Sequence, residues 1–339
     1  MKAAIVTKFG PPETLQLKEV PKPSPRENQV LIAVKVIGLN FADVLARLGV
    51  YPSVPDPPFV PGLEVSGIVK DVGEGVKSFK GGDRVVAFTR QGAYAEYVCV
   101  NENHVQHLPK RMNFEEGASI GVTYLTAYHG LITLANIRKS ERLLLHAAAG
   151  GVGTATIQIA KHLGVEVFGT ASSAQKLGVA HEQGLNHGIN YLTEDFVQVI
   201  LQKTQGLGVD VVMDSVGGSV FRKSWRLLAP MGRYILYGFA AVTGKRTINR
   251  IKALKEIAAT PIIYPPNMVS KNLGLFGFNL YFLFDKVEYL KKTSRQLMKW
   301  YDQKVIKPVI GARFSFDRIA EAQEYLQSRK SFGKVVAVV

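Results

Sequence analysis

The chain has 339 residues, 47% hydrophobic and 20% charged, with Gly and Pro spread along its length, a size that suits two units with a core each and a composition that excludes a disordered or low-complexity protein. A single cysteine, Cys99, excludes an intrachain disulfide, and the opening run Ala3–Val6 has no secretory pattern before it, so a reducing, cytoplasmic setting is expected. The net charge is +15, and residues 241 to 310 hold 13 Lys/Arg against 4 Asp/Glu; a solvated basic face is the expectation, with contact to an anionic membrane surface as the alternative.

The first third reads as β-rich and barrel-like. Its runs are Gln29 to Ile37, Val65 to Val69 and Asp83 to Phe88, separated by Gly and Pro. Val50 to Pro61 is rich in proline, which lacks the N–H that a strand ladder needs, so a loop at the rim of a cleft is predicted. At Asn113-Phe-Glu-Glu116 a capping-box spacing announces a helix that leaves the β-rich part. The regime then changes to alternation. Strands are predicted at 143–146, 165–170, 188–190, 209–214 and 233–237, and helices at 152–163, 174–183, 196–203 and around Ser224. Alternation of this length implies parallel strands with right-handed crossovers, hence a doubly wound sheet. Leu273 to Phe284 is the most apolar window, too short for the roughly 18 residues a spanning helix needs. An edge strand that pairs two copies into a homodimer is preferred there over membrane contact. A helix near 317–328 and a strand at 334–338 close the chain, the strand returning to the first unit.

The turn Ala148-Ala-Gly150-Gly-Val-Gly153 sits between the strand ending at Leu145 and the helical run from Thr154. It is the dinucleotide fingerprint with Ala in place of the first glycine. Small residues let the backbone turn sharply and approach a pyrophosphate, while the helix start offers unpaired N–H groups to it. At the end of the next strand an NAD site would place Asp or Glu. Here the chain reads Gly169-Thr170-Ala-Ser172-Ser173-Ala-Gln-Lys176, with no carboxylate to repel a 2′-phosphate and with hydroxyls and a cation to hold one, so NADPH is the expected cofactor. One serine serving only as a helix cap, and Lys176 only as a solvated charge, is the plainer alternative.

Several motifs in one order carry a resemblance along the whole chain: Gly38-Leu-Asn-Phe-Ala-Asp43, Pro61-Gly-Leu-Glu-Val-Ser-Gly67, Gly82-Asp-Arg-Val85, the glycine turn, Gly169-Thr-Ala-Ser172, Val212-Met-Asp-Ser-Val-Gly-Gly218, Ile306-Lys-Pro308 and Gly333-Lys-Val335. The sequence resembles the zinc-free quinone oxidoreductase branch of the medium-chain dehydrogenase/reductase superfamily, and within it the vesicle amine transport protein-like group. The resemblance implies an α/β protein with a GroES-like β-rich catalytic domain, residues 1–122 and 310–339, and a Rossmann NADPH-binding domain, residues 123–309. It implies that Asn40 and Tyr51 lie beside the nicotinamide and substrate, that Thr126, Gly150, Gly151 and Val152 hold the ribose and pyrophosphate, and that Ser172, Lys176 and Tyr191 surround the adenosine phosphate. It also implies that Gly238, Phe239 and Phe276 line the nicotinamide side, with Lys334 closing the site. Zinc-dependent relatives have a Cys near the position of Asn40 and a His where Leu63 stands. Without these ligands, and with His104 and His107 lacking a third partner, no metal is expected.

Without a metal to polarise a carbonyl, the expected acceptors are electron-poor ones, a quinone or an α,β-unsaturated carbonyl. Asn40 is expected to orient cofactor or substrate, Tyr51 to donate a hydrogen bond, and Asp43 to cap the early helix. The competing expectation is an NADPH-binding peripheral protein that acts through membrane or partner association, resting on the basic segment Lys245 to Lys255 and on Leu273 to Phe284. No nucleic-acid partner is expected, because no aromatic-rich recognition motif accompanies the charge.

Overall fold

The computed structural model describes residues 1–244 and 246–339, so Lys245, the first residue of the expected basic segment, lies outside the described residues. Strands β1 (Lys2–Val6) and β2 (Leu15–Glu19) form a short antiparallel pair. Strand β3 (Gln29–Leu39) is buried along nearly its whole length, which explains its unbroken apolar run where a half-exposed strand would alternate. Helix α1 (Phe41–Arg47) follows at once, its first turn closed by the Asn40 N–H donating to Asp43 Oδ2 at 2.8 Å. Strands β4 (Glu64–Val72), β5 (Arg84–Phe88), β6 (Tyr97–Asn101) and β7 (Val105–His107) complete the local part of the sheet.

Helix α2 (Phe114–Tyr128) starts on the predicted capping box, with Glu116 N donating to Asn113 Oδ1 at 2.8 Å and Asn113 N to Glu116 Oε2 at 3.1 Å. Helix and sheet meet backbone to side chain. A Cβ at Gly38 would stand 1.9 Å from the Ala118 carbonyl oxygen, and one at Gly121 would stand 1.8 Å from the Phe88 ring. Only glycine at both positions allows this approach.

The alternation predicted from the sequence then unfolds as β8 (Arg142–Leu145), α3 (Gly151–Leu163), β9 (Glu166–Ala171), α4 (Ala174–Gln183), β10 (His187–Asn190), α5 (Phe196–Lys203), β11 (Val209–Asp214), α6 (Gly218–Trp225) and β12 (Leu228–Leu236). Two short helices outside the predicted set, α7 (Arg250–Ala259) and α8 (Pro265–Val269), lead to β13 (Gly274–Gly277). The six strands are parallel in the order β10-β9-β8-β11-β12-β13, the doubly wound arrangement whose switch point falls between β8 and β11. β12 begins earlier than the apolar run suggests, because a register shift between Val209 and Val211 lets the chain pair on both sides of the irregularity.

Helix α9 (Val287–Asp302) buries Leu290, Leu297 and Trp300 at helical spacing inside the otherwise basic region. Strand β14 (Ile310–Ser315), helix α10 (Ile319–Gln327) and β15 (Lys334–Val338) return to the first sheet, where β15 pairs antiparallel with β3 through Val335 and Leu39. The order of that sheet is β14-β15-β3-β4-β5-β7, with β6 also on β3.

The window Leu273 to Phe284 divides in two. Gly274–Gly277 is an edge strand, whereas Phe278, Leu280, Leu283 and Phe284 pack on the main core cluster, so most of this stretch is covered and only Phe276 and Phe282 stand exposed among its large apolar side chains. A denser group of exposed apolar residues stands on α7 and just after it: Ile251, Leu254, Ile257, Ile262, Tyr264 and Val269. No helix among the described residues is long and apolar enough to cross a membrane.

Candidate active site

At the C-terminal end of β8 the backbone turns through Ala147, which adopts a left-handed φ of 54°, and Gly150 takes the N-cap position of α3 with no side chain capping the helix. The first N–H groups of α3 therefore point outward unpaired, as an anion site requires. A Cβ at Gly150 would meet only the Ala147 carbonyl at 3.3 Å, so space for a pyrophosphate lies over this residue. Gly153 has the packing duty: a Cβ there would stand 2.4 Å from the carbonyl oxygens of both Ala147 and Ala148. The turn is clasped by the last segment of the chain, where Gly333 N donates to the Ala149 carbonyl at 2.7 Å. Thr126 stands nearby on α2, its hydroxyl donating back to the Val122 carbonyl at 2.7 Å, which leaves its oxygen lone pairs for a ligand. The donors fit a dinucleotide.

The residues after β9 divide into a core member and three surface members. Thr170 is turned inward, its hydroxyl 3.0 Å from His146 Nδ1, because strand pleating sends alternate side chains to opposite faces; its side chain is not available to a cofactor, contrary to expectation. Ser173 caps α4, accepting from Lys176 N at 3.3 Å, and so fulfils the plainer reading while keeping its O–H free to donate. Ser172 is half-buried beside it, and Tyr191 is exposed just past β10. Lys176 is not a freely solvated charge. Its ammonium donates to the Arg329 carbonyl, and burial together with the Arg329 charge pushes its pKa down. The Arg329 guanidinium donates to the Ala240 carbonyl at 2.7 Å. Lys176 and Arg329 thus adjoin each other beside the start of α4, and Arg329 was not among the residues expected from the sequence.

Elsewhere in the β-rich unit, a buried polar cluster joins four segments. Asn40 Nδ2 donates to Glu64 Oε1 at 2.9 Å and to the Gly38 carbonyl at 3.2 Å, while Asn40 Oδ1 accepts from Lys334 Nζ at 2.6 Å. The Lys334 ammonium also pairs with Glu64 Oε1, and Glu64 Oε2 accepts from Val122 N at 3.0 Å. Asn40 is therefore fixed in orientation, with both amide protons committed inside the protein. Asp43 joins through Tyr94, whose hydroxyl donates to Asp43 Oδ2 at 3.0 Å. Arg47, wholly buried behind α1, donates to Gln323 Oε1 at 2.7 Å and to Gln327 Oε1, which pins α1 to α10; burial pushes its pKa down to about 10.

Tyr51, on the proline-rich loop, donates to Asn279 Oδ1 at 2.8 Å and packs edge-on against Tyr281, ring centroids 6.0 Å apart. Burial pushes its phenol up to about 12. Tyr51, Phe59, Leu63, Arg90, Tyr281 and Asp43 line a cavity of about 20 Å³, room for little more than a water molecule. Gly238 and Phe239 follow β12 at the same edge of the sheet as the glycine turn, the Phe239 ring covering Gly217. Phe276 stands apart from this cavity on the edge strand β13, its ring folded over Gly274, because after leaving that strand the chain reaches the cavity wall at Tyr281, with Asn279 holding the Tyr51 hydroxyl.

The donor set does not suit zinc. Leu63 has no ligand atom, and the oxygens of Asn40 and Glu64 already face an ammonium. His104 packs on Phe284 and His107 is bound to the Ser78 carbonyl at 3.1 Å; among the described residues no three metal-ligating side chains converge.

A doubly wound nucleotide sheet docked on a β-rich unit, with the glycine turn at their junction, defines a dehydrogenase/reductase architecture. Residues 26–110 match the alcohol dehydrogenase GroES-like domain, and residues 183–337 match the family described as zinc-binding dehydrogenase. The chain is 38% identical to the synaptic vesicle membrane protein VAT-1 homolog of Rattus norvegicus, covering 100% of this chain and 84% of that one. It is 33% identical to the quinone oxidoreductase of Rattus norvegicus, covering 100% and 98%. The crystal structure of Escherichia coli quinone oxidoreductase complexed with NADPH superposes with a TM-score of 0.89 at 32% identity, with both chains fully covered. The chain belongs to the medium-chain dehydrogenase/reductase superfamily, in its quinone oxidoreductase branch.

Proposed function

We propose that this protein is a zinc-independent NADPH-dependent oxidoreductase that reduces a quinone or an α,β-unsaturated carbonyl. The observation that carries the reading is the uncapped start of α3 with Ser172, Ser173, Lys176 and Arg329 nearby, together with the cavity beside Tyr51. The NADPH complex of the Escherichia coli relative supports the cofactor, and the quinone oxidoreductase relatives support the acceptor. Bound NADPH supplies a hydride, two electrons with one hydrogen, to the acceptor.

The chain's own residues bind, orient and exclude water. Gly150, Gly151 and Val152 present backbone N–H groups to the pyrophosphate, and Thr126 faces the nicotinamide ribose. Ser172, Ser173 and Lys176 hold the 2′-phosphate with Tyr191 beside the adenosine, and Arg329 adds a second cation. Asn40, locked by Lys334 and Glu64, forms a rigid wall for the nicotinamide, with Gly238 and Phe239 on its other side. The Tyr51 hydroxyl exchanges Asn279 for the acceptor when the loop opens, which it must do because the cavity is smaller than any quinone ring. The division into residues 1–122 with 310–339 and residues 123–309 follows this split of duties. The free edge of β13 suits a homodimer, and a single half-buried thiol, Cys99, accords with a cytoplasmic setting. Following NADPH absorbance with ortho- and para-quinones and a short enone tests the reading, and absence of turnover with all three overturns it.

One observation favours a second reading, attachment to a membrane surface. Helix α7 buries none of its residues, and Ile251, Leu254 and Ile257 form an exposed apolar row among Arg250, Lys252 and Lys255. An apolar row edged by cations complements an anionic bilayer, whereas two copies facing each other would oppose like charges. Sedimentation with phosphatidylserine vesicles checks it: binding that disappears in Ile251→Asn/Leu254→Asn supports attachment, and binding that persists in the variant removes it.

A further inference from the structure

Asp43 caps α1, yet the cap uses only half of its carboxyl group. Oδ2 accepts from Asn40 N at 2.8 Å and from the Tyr94 hydroxyl at 3.0 Å, and among the described residues both hydrogen bonds to the carboxyl go to Oδ2 and none to Oδ1. The side chain is buried and lines the cavity shared with Tyr51, Phe59, Leu63 and Tyr281. When one carboxyl oxygen receives two donors, a proton on the group resides on the other oxygen.

The charges around it are few. Lys334 on β15 favours the carboxylate and Glu64 on β4 opposes it; Tyr94 donates from the segment before β6, and Tyr51 and Arg90 share the cavity wall. Burial outweighs the donors and pushes the Asp43 carboxyl up to about 7. A capping carboxylate at a helix start is ordinarily ionised. This one holds a proton in a substantial fraction of molecules at neutral pH.

Building on the reductase reading, we infer that Asp43 donates, through Oδ1, the proton that completes reduction of the acceptor in this cavity. Hydride addition to an enone or quinone leaves an enolate or hydroquinone anion, reduced by two electrons and short of one proton. The Oδ1–H bond breaks as the new O–H or C–H bond forms on that anion. Asp43 is left as a carboxylate, held by Asn40 N and Tyr94, and recovers its proton from water once product leaves. The NADP⁺ produced balances the two electrons gained by the acceptor.

The test compares wild type, Asp43→Asn and Tyr94→Phe in steady-state kinetics across pH, with NADPH affinity read separately by fluorescence. Wild-type kcat should fall as pH rises through about 7, where the donor loses its proton. Asp43→Asn should bind NADPH as wild type does, lose about 100-fold in kcat and lose the pH break. Tyr94→Phe removes a donor that favours the carboxylate, so its break should move to higher pH, a displacement that a merely structural cap would not produce. A folded Asp43→Asn that keeps wild-type kcat and the break overturns the inference. If that variant does not fold, a Tyr94→Phe profile with the break absent or unmoved overturns it. Wild-type turnover itself tests the reductase reading, so the two failures are distinguishable.

Discussion

Lys334 and Asn40, 294 positions apart in sequence, meet with Nζ 2.6 Å from Oδ1, and the same ammonium pairs with the fully buried Glu64. The last strand thus contributes a cation that balances a buried carboxylate. Lys334→Met leaves that carboxylate buried without a counter-charge and should cost about 3–5 kcal/mol of stability. Glu64→Gln in the same chain should restore much of the loss, since the uncompensated charge is then gone. Urea midpoints of the single and double variants check the pair, and equal midpoints for the two would refute the assignment.

Gly153 is held by its neighbours on the turn. A methyl group there would press within 2.4 Å of two backbone carbonyl oxygens that cannot move without opening the turn. Gly153→Ala should therefore lower stability by about 1–3 kcal/mol and, on the proposed reading of this backbone as the pyrophosphate cradle, abolish NADPH binding. Thermal unfolding with and without NADPH reads both effects; a variant still stabilised by the cofactor as wild type is would count against this turn as the site.

On the proposed reading, cofactor choice rests on Lys176 and Arg329. Each charge-assisted hydrogen bond to a phosphate is worth about 1.5–3 kcal/mol, so Lys176→Ala should weaken NADPH binding about 10- to 100-fold. NADH, which has no 2′-phosphate, should bind the variant as it binds wild type. Isothermal titration with both cofactors checks this, and parallel losses for the two would place Lys176 elsewhere in the site.

What the sequence made legible was local. The helix 174–183, bounded by Ser173 at its start and Gly184 in the left-handed region at its end, was read to the residue because both signals are side-chain or backbone chemistry within one turn. The glycine turn and the Asn113 capping box were legible for the same reason. The Lys334–Glu64–Asn40 cluster was not, because its members come together only when β15 pairs with β3. The pairing of Lys176 with Arg329 was hidden likewise by 153 intervening positions. Edge strand β13 was legible as an apolar run but not as a boundary: nothing in the composition of 273–284 says that four residues make a strand and that Phe278, Leu280, Leu283 and Phe284 pack on the core. Helix α7 was masked by its lysines, which drew attention to charge and away from the apolar row between them.

Asp43 also makes a prediction about stability that is independent of catalysis. Its carboxyl is raised from 3.8 to about 7 in the fold, first by burial, so between those values the folded chain holds a proton that the unfolded chain has released. Stability must then fall as pH rises through this window, by about 1.4 kcal/mol for each unit of difference and by about 4 kcal/mol once the group is ionised in both states. The sign is opposite to that of an ordinary salt-bridged carboxylate, whose contribution is lost as pH falls. Asp43→Asn carries a neutral amide at every pH and should show a flatter profile, so its stability relative to wild type should improve steadily from pH 4 to pH 8. Urea unfolding at intervals across that range measures the difference. A wild-type curve that rises relative to the variant above pH 5 would mean that Asp43 is ionised in the fold, with Tyr94 and Asn40 N–H acting as the counterweight to burial.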